Sequence, residues 1–191
     1  MNVQELIRAS RSYRSFDPSH PISREALAEM VECARFCPSS RNLQVLKFRL
    51  VTEVEELNQM LSCTRWAGLL RDMVIPPVGH APTAYVVICI DTSLTDQLVP
   101  FQKDVGICAQ SILLAATEAG FGGCMIGSFQ ADAVKNALSL PDHLAPQLVL
   151  GMGKPDETVE LTEVGEDGNV AYYRKDGVHY VPKRALEDLI I

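Results

Sequence analysis

Apolar and polar residues alternate along this chain in two rhythms, and the switches between them mark out helices and strands. Val3, Leu6 and Ile7 recur at helical spacing behind Asn2, with Glu5 three residues on, which predicts a short first helix capped by Asn2 and ending near Ser10. A second helix starts near Ser23, carries Leu27, Met30, Val31 and Ala34 on one face, and stops near Cys37, before Pro38. Lys47 to Thr52 alternates charged and apolar residues as a half-buried strand does, and Val54, Leu57 and Leu61 mark a third helix. Tyr85 to Ile90 is an unbroken apolar run rich in β-branched residues, which predicts a central strand covered on both faces. Val105 to Ala119 is apolar nearly all round, Gln110 and Ser111 excepted, and ends at Gly120, as a buried core helix would. A strand at Cys124 to Ile126, a helix from Ala131 to Leu138 closed before Pro141, and a strand at Gln147 to Leu150 follow.

The remaining segment is more polar. Asp156 to Val170 holds six acidic residues and no basic one, and reads as a solvated excursion whose removal should do limited damage. Val170 to Tyr173 and Val178 to Val181 flank Asp176-Gly177, a hairpin signal, with Arg174 and Lys175 extending the loop beyond two residues. Arg184 to Ile191 is a short amphipathic end. With no long linker or internal repeat, residues 1–191 are expected to form a single domain.

Composition narrows the function classes. A chain of 47% hydrophobic and 21% charged residues is that of an ordinary globular protein. The longest stretches free of both charged residues and histidine, Val105 to Thr117 and Ala119 to Ala131, run 13 residues each, short of the roughly 20 that span a bilayer. The start, Met1-Asn2-Val3-Gln4-Glu5, lacks the basic and apolar regions of a secretion signal, so a cytoplasmic location is expected, with no membrane partner. A net charge of −7 argues against general nucleic-acid binding and makes any anion site a local feature. The six cysteines form no C-x-x-C pair and mostly sit in apolar runs, which favours buried, reduced, structural thiols and predicts no metal site. No spacing links Cys37 or Cys124 to His20, His80, His143 or His179 as a thiol enzyme would require.

Three groups of residues could carry chemistry. Arg8, Arg11, Ser12 and Arg14 concentrate beside the end of the first helix, where they form either a solvated basic face or an anion site, since guanidinium groups donate paired hydrogen bonds to phosphate. Pro38-Ser39-Ser40-Arg41-Asn42-Leu43-Gln44 puts two hydroxyls and two carboxamides in a loop between helix and strand, suited either to local turn bonding or to reading the edge of a heterocycle. Gly120 to Phe129 brackets a short strand with glycines, which serves close packing or the close approach of a flat ligand, and matches neither a Walker A loop nor a strict G-x-G-x-x-G.

Taken together these segments resemble the nitroreductase family. Ser12-Tyr13-Arg14-Ser15-Phe16 resembles its S-x-R-x-F signature, Pro38 to Gln44 its P-S-x-x-N-x-Q loop, Gly120 to Phe129 its G-x-G-x-x-x-I-G segment, and Pro182-Lys183-Arg184 its basic C-terminal element. The resemblance spans nearly the whole chain. It implies an α+β, three-layer fold with a mixed β-sheet wrapped by helices, in an intimate homodimer with two FMN sites at the subunit interface. On that resemblance Arg11, Ser12, Arg14, Lys183 and Arg184 would hold the ribityl phosphate. Pro38, Ser39, Ser40, Asn42 and Gln44 would line the flavin, and Ile126, Gly127 and Ser128 would offer backbone near the reactive edge of the ring. Where many relatives carry an arginine two places before the signature serine this chain has Ser10, which hands that duty to Arg11 or Arg8; Val45-Leu46 replaces their Pro-Trp. Arg41, inside the loop, is expected to border the substrate, and Trp66, the only tryptophan, in the segment from Thr64 to Pro77, either borders it too or packs in the core.

The implied activity is reduction of small organic acceptors such as nitroaromatics or quinones with electrons from NADH or NADPH, by ping-pong kinetics and with no catalytic acid or base. A non-enzymatic flavin carrier or sensor would use the same binding residues, and an enone, azo or flavin reductase would share every motif.

Overall fold

The computed structural model describes residues 1–70 and 72–191. The chain runs through α1 (Val3–Ala9), β1 (Phe16–Asp17), α2 (Arg24–Arg35), β2 (Leu46–Val51), α3 (Val54–Cys63) and β3 (Ala84–Asp91). It continues through α4 (Gln102–Glu118), β4 (Gly122–Ile126), α5 (Ala131–Ala137), β5 (Leu144–Pro155), β6 (Thr158–Glu163), β7 (Tyr173–Lys175) and β8 (Val178–Lys183). The helix starts follow the sequence signals: Asn2 and Glu5 form a reciprocal capping box on α1, and Ser23 caps α2 through the amide of Ala26.

β3 is the centre of the main sheet, antiparallel to β2 on one side and to β5 on the other. All of its residues are buried because both faces are covered. Ala84, Val86 and Ile88 join Leu150 and Met152 beneath α2 and α4, whereas Tyr85, Val87 and Cys89 join Cys124, Ile126 and Val149 beneath α3 and α5. Helices on both faces of one sheet give the three layers. The main sheet is antiparallel throughout; the one parallel pairing among the described strands is β6 with β8, in a second, three-stranded sheet.

β5 is much longer than the expected Gln147 to Leu150, since it serves β3 along one edge and both β4 and β1, end to end, along the other. The glycines that conceal it have a packing reason. A Cβ on Gly151 would come within 2.6 Å of the Trp66 ring, and one on Gly153 within 2.9 Å of Phe16.

Several expectations need correction. α4 is not buried all round: Lys103, Gly106, Ile107 and Gln110 face outward. The β7–β8 turn is a two-residue one, because Arg174 and Lys175 pair into the ladder and only Asp176 (φ 51°) and Gly177 (φ 80°) turn the chain. Residues 156–170 are not merely a solvated excursion, since they contain β6 and the buried Glu157 carboxylate. All six cysteines are free, but Cys33 is exposed on α2 rather than buried. Burial pushes the Cys89 and Cys108 thiols up to about 11 and about 12, in keeping with a structural role. No described helix is long and apolar enough to cross a membrane.

Replacing Gly151 with alanine is expected to lower stability by about 1–3 kcal/mol through overpacking against Trp66. Combining it with Trp66→Leu should cost less than the sum of the two single changes, as measured by urea denaturation.

Candidate functional site

The residues after α1 leave the helix extended and lie along β4. Ser12 bridges to Gly123, and the Tyr13 amide donates to the Gly123 carbonyl at 3.1 Å. The Tyr13 ring fills the space that a side chain on Gly122 would need, and its hydroxyl donates to the Ala9 carbonyl at 3.1 Å. With Tyr13 turned inward, extended alternation carries Ser12 and Arg14 to the other side of the segment.

From the far end of the sequence β8 approaches the same place. His179, Val181 and Lys183, alternate residues of that strand, join Arg11, Ser12 and Arg14 around a cavity of about 410 Å³. Gln110 and Leu113 of α4, Gly123 and Met125 of β4, Ser10 and Tyr172 complete its wall. The lining holds three cationic side chains and no carboxylate, in a protein of net charge −7. Burial lowers the Arg11 guanidinium from its usual value, and its Nε has no partner among the described residues. Arg14 lies over the Tyr172 ring, 5.1 Å from the centroid. Arg11 Nη2 donates to the Ile7 carbonyl at 2.6 Å, yet among the described residues none of the three cations is paired with a carboxylate, and such a wall suits an oxyanion with several acceptor atoms.

One carboxylate fixes the junction from behind. Glu157, its side chain 6% exposed, accepts through Oε1 from the backbone amides of Arg14 and Ser15 and through Oε2 from the Arg174 guanidinium. It thereby joins the N-terminal motif to the small sheet that carries His179 and Lys183, while Arg174 balances its charge.

The loop from Pro38 to Gln44 is built on another buried carboxylate, that of Asp104, 3% exposed in the first turn of α4. Its Oδ2 accepts from the Ser39 hydroxyl at 3.1 Å and the Ser40 amide at 2.8 Å, and its Oδ1 accepts from the Ser40 hydroxyl at 2.8 Å. Both hydroxyls are therefore committed to the loop's own construction. Ser39 Oγ also accepts from the Gln44 amide at 3.0 Å. So anchored, the loop holds Arg41 (φ 53°), Asn42 (φ 55°) and Gln44 (φ 50°) in the left-handed region, a strained arrangement costing about 1–3 kcal/mol per residue. All three side chains are exposed. Pro38, Ser39 and Gln44 line a second cavity of about 460 Å³, between α2 and β2, which shares no lining residue with the first. The Asp104 anchor and the cationic pocket lie at different stations on α4: Gln110 and Leu113 are about 9–13 Å further along the helix than Asp104.

In the glycine-rich segment, Gly122 and Gly123 are packing glycines, crowded by Tyr13 and by the Gly151 carbonyl, whereas a Cβ on Gly127 would meet open space. Ile126 is buried in the core, Gly127 and Ser128 are exposed, and the Ser128 carbonyl accepts from the Arg65 amide at 2.8 Å.

A model of the nitroreductase family matches residues 7–154. The chain belongs to that family. A protein named putative NADH dehydrogenase/NAD(P)H nitroreductase, from Methanothermobacter thermautotrophicus, is 26% identical over 82% of this chain and 79% of its own length. The NADPH-flavin oxidoreductase of Vibrio harveyi is 29% identical over 84% of this chain and 68% of its own. Among solved structures, the NADPH:FMN oxidoreductase from Vibrio harveyi complexed with NAD+ superposes with a TM-score of 0.67 at 27% identity, covering 99% of this chain and 82% of that one.

Set in the nitroreductase family, the residues singled out from the sequence divide clearly. Arg11, Ser12, Arg14 and Lys183 meet at one cavity, Arg11 rather than Arg8 taking the place by the signature serine, and Arg184 is exposed outside the lining. Arg41 and Trp66 are not brought together there. Trp66 packs on Gly151 and donates its ring N–H to Thr64 Oγ1 at 3.0 Å; of its segment 64–77, residue 71 lies outside the described residues. His179, Tyr172, Glu157, Asp104 and Gln110 were not found by motif. The strand signal at Val178 to Val181, extended by two residues to Lys183, would have placed His179 on the same face as that lysine.

Asp104→Ala is expected to raise amide exchange across residues 40–44 and to cost at least about 2 kcal/mol in stability, since hydrogen bonds to a charged group are lost together. A pH dependence follows from His179, which burial and then the flanking Arg14 and Arg174 push down to about 4 from 6.5. The unfolded chain takes up a proton below pH 6.5 that the folded one refuses until about pH 4, so stability falls as pH drops through that window. His179→Gln should flatten this acid limb by on the order of 2 kcal/mol, read from urea midpoints.

Proposed function

We propose that this chain binds FMN, with the phosphate in the pocket of Arg11, Ser12, Arg14 and Lys183, and works as an NAD(P)H-dependent oxidoreductase that reduces small organic acceptors such as nitroaromatics or quinones. The observation that carries this reading is the carboxylate-free cationic cavity of an otherwise acidic chain, formed by the family's signature residues. The V. harveyi relatives, named for NADPH and flavin or FMN, support it. The donor set fits a phosphate monoester: the cationic side chains of Arg11, Arg14 and Lys183 and the exposed Ser12 line the cavity without a competing acid.

The rest of the flavin site is assigned to a homodimer. α1 buries none of its residues, and Val3 is 71% exposed; Ile107 of α4, Met125 of β4 and Leu43 of the loop add to the uncovered apolar surface. A second copy on this face would cover it and bring its own Pro38 to Gln44 loop, with the Asn42 and Gln44 carboxamides outward, toward the cavity that its partner's loop does not reach. Gly127 and Ser128, exposed beyond β4, would present backbone to the ring, while Ile126 anchors them in the core. Exposed Arg41 would border the acceptor; Trp66 is assigned to packing.

Held by Arg11, Ser12, Arg14 and Lys183, FMN would supply the hydride and electron chemistry that links the reduced nicotinamide to the second substrate in alternation, as ping-pong kinetics require. The chain's own contribution is positional. Arg11, Arg14 and Lys183 fix the phosphate end, the partner's carboxamides orient the ring, and neither duty requires a protein acid or base.

The purified protein is expected to show flavin absorption bands that NADH or NADPH bleaches in the absence of oxygen. Arg14→Met should weaken FMN binding at least about tenfold and riboflavin binding much less. A colourless protein that takes up no added FMN would refute the proposal, and bound flavin that neither donor reduces would leave a carrier instead of an enzyme.

A further inference from the structure

Resting on the phosphate assignment just made, a further role falls to His179. It is 2% exposed and lines the cationic pocket. On β8 it stands between Val159 of β6 and Arg174 of β7, and the Tyr172 ring tilts against it with centroids 5.2 Å apart. Arg14 Nη1 lies 3.3 Å from its Nε2. The charged groups around it are Arg14 and Arg174, Glu157 bonded to both of them, and Lys183 and Arg11 in the same pocket wall.

A guanidinium can only donate, so His179 Nε2 must accept, and the neutral ring then carries its proton on Nδ1. That Nδ1–H has no partner among the described residues. Burial first, and then the two guanidiniums between which an imidazolium would sit, keep the ring neutral.

This has a consequence for Arg14. Its other side-chain acceptor is the Ser12 carbonyl at 3.2 Å, so both groups that aim it are neutral. The carboxylate that comes nearest, Glu157, takes the Arg14 backbone amide and the Arg174 side chain instead. An acid at position 179 would also aim Arg14, but would cancel its charge. We propose that His179 is a positioning residue that sets the pocket's selectivity for a phosphorylated ligand, orienting Arg14 through a neutral ring nitrogen and leaving its full charge for the phosphate.

The test combines NMR of the histidine ring nitrogens in flavin-free protein with titrations of FMN, riboflavin and inorganic phosphate against wild type, His179→Gln, His179→Phe and His179→Glu. The expected ring is protonated on Nδ1, unprotonated on Nε2, and neutral near pH 7. The preference for FMN over riboflavin should fall about tenfold or more in His179→Phe, fall furthest in His179→Glu, and be largely rescued in His179→Gln, whose carboxamide oxygen accepts from Arg14. A merely structural role would lower the affinity for both flavins together. An Nε2–H tautomer, a charged ring near neutral pH, or an FMN preference unchanged in His179→Glu overturns the proposal, the first two without any variant having to fold. If wild type binds neither flavin, the FMN reading fails and inorganic phosphate decides for His179: phosphate binding lost in His179→Glu upholds its role, and binding retained refutes it.

Discussion

The hydrogen bonds and ion pair converging on the Glu157 carboxylate tie the two ends of this chain together. Its oxygens hold two successive backbone amides of the N-terminal motif and the guanidinium of Arg174, and it is buried while doing so. A buried carboxylate is stable only when its lone pairs are filled and its charge is balanced, and here one cation and two amides meet both demands. The side chains of the cationic pocket then inherit their positions. Ser12 and Arg14 are set by the backbone Glu157 grips, and His179 and Lys183 by the small sheet that Arg174 anchors to it. The acid attracts the scaffold's cation and leaves those of the pocket unpaired.

α4 plays the corresponding part for the loop of Pro38 to Gln44. Through Asp104 its first turn fastens the loop of Pro38 to Gln44, and through Gln110 and Leu113 its middle backs the cationic pocket. One rigid helix thus fixes the spacing between a loop of outward carboxamides and a cavity of inward cations. Its outward face leaves Gly106 and Ile107 uncovered, and the proposed homodimer would use it.

Much of this was legible in the sequence, for definite reasons. The capping box of α1, the apolar run of β3 and the signature residues Ser12 and Arg14 announce themselves locally, since each depends on neighbours within a few positions. The length of β5 did not, because Gly151 and Gly153 look like breaks until Trp66 and Phe16 are placed against them. Glu157 was hidden for the opposite reason: it sits in a run of acids, and only its distant partners distinguish it from its solvated neighbours. Asp104 likewise reads as an ordinary acid at a helix start until the serine hydroxyls are seen to converge on it. Arg8 and Arg11 are equivalent as sequence, and the extended path after α1 separates them. What pattern cannot supply is long-range partnership, and both organising carboxylates are defined by it.

The cationic pocket draws its wall from Ser10 to Arg14 at one end of the chain and from Tyr172 to Lys183 at the other, with the whole main sheet between them. During synthesis the five strands of that sheet can pair once Pro155 has emerged, yet the anion cavity still lacks its far wall. If the pocket takes the phosphate of FMN as proposed, capture of the cofactor would be a late event in the life of each chain, deferred until β8 has closed on the first motif. A half-made molecule, however well its core has formed, would then have no closed pocket with which to withdraw cofactor from the cell's supply.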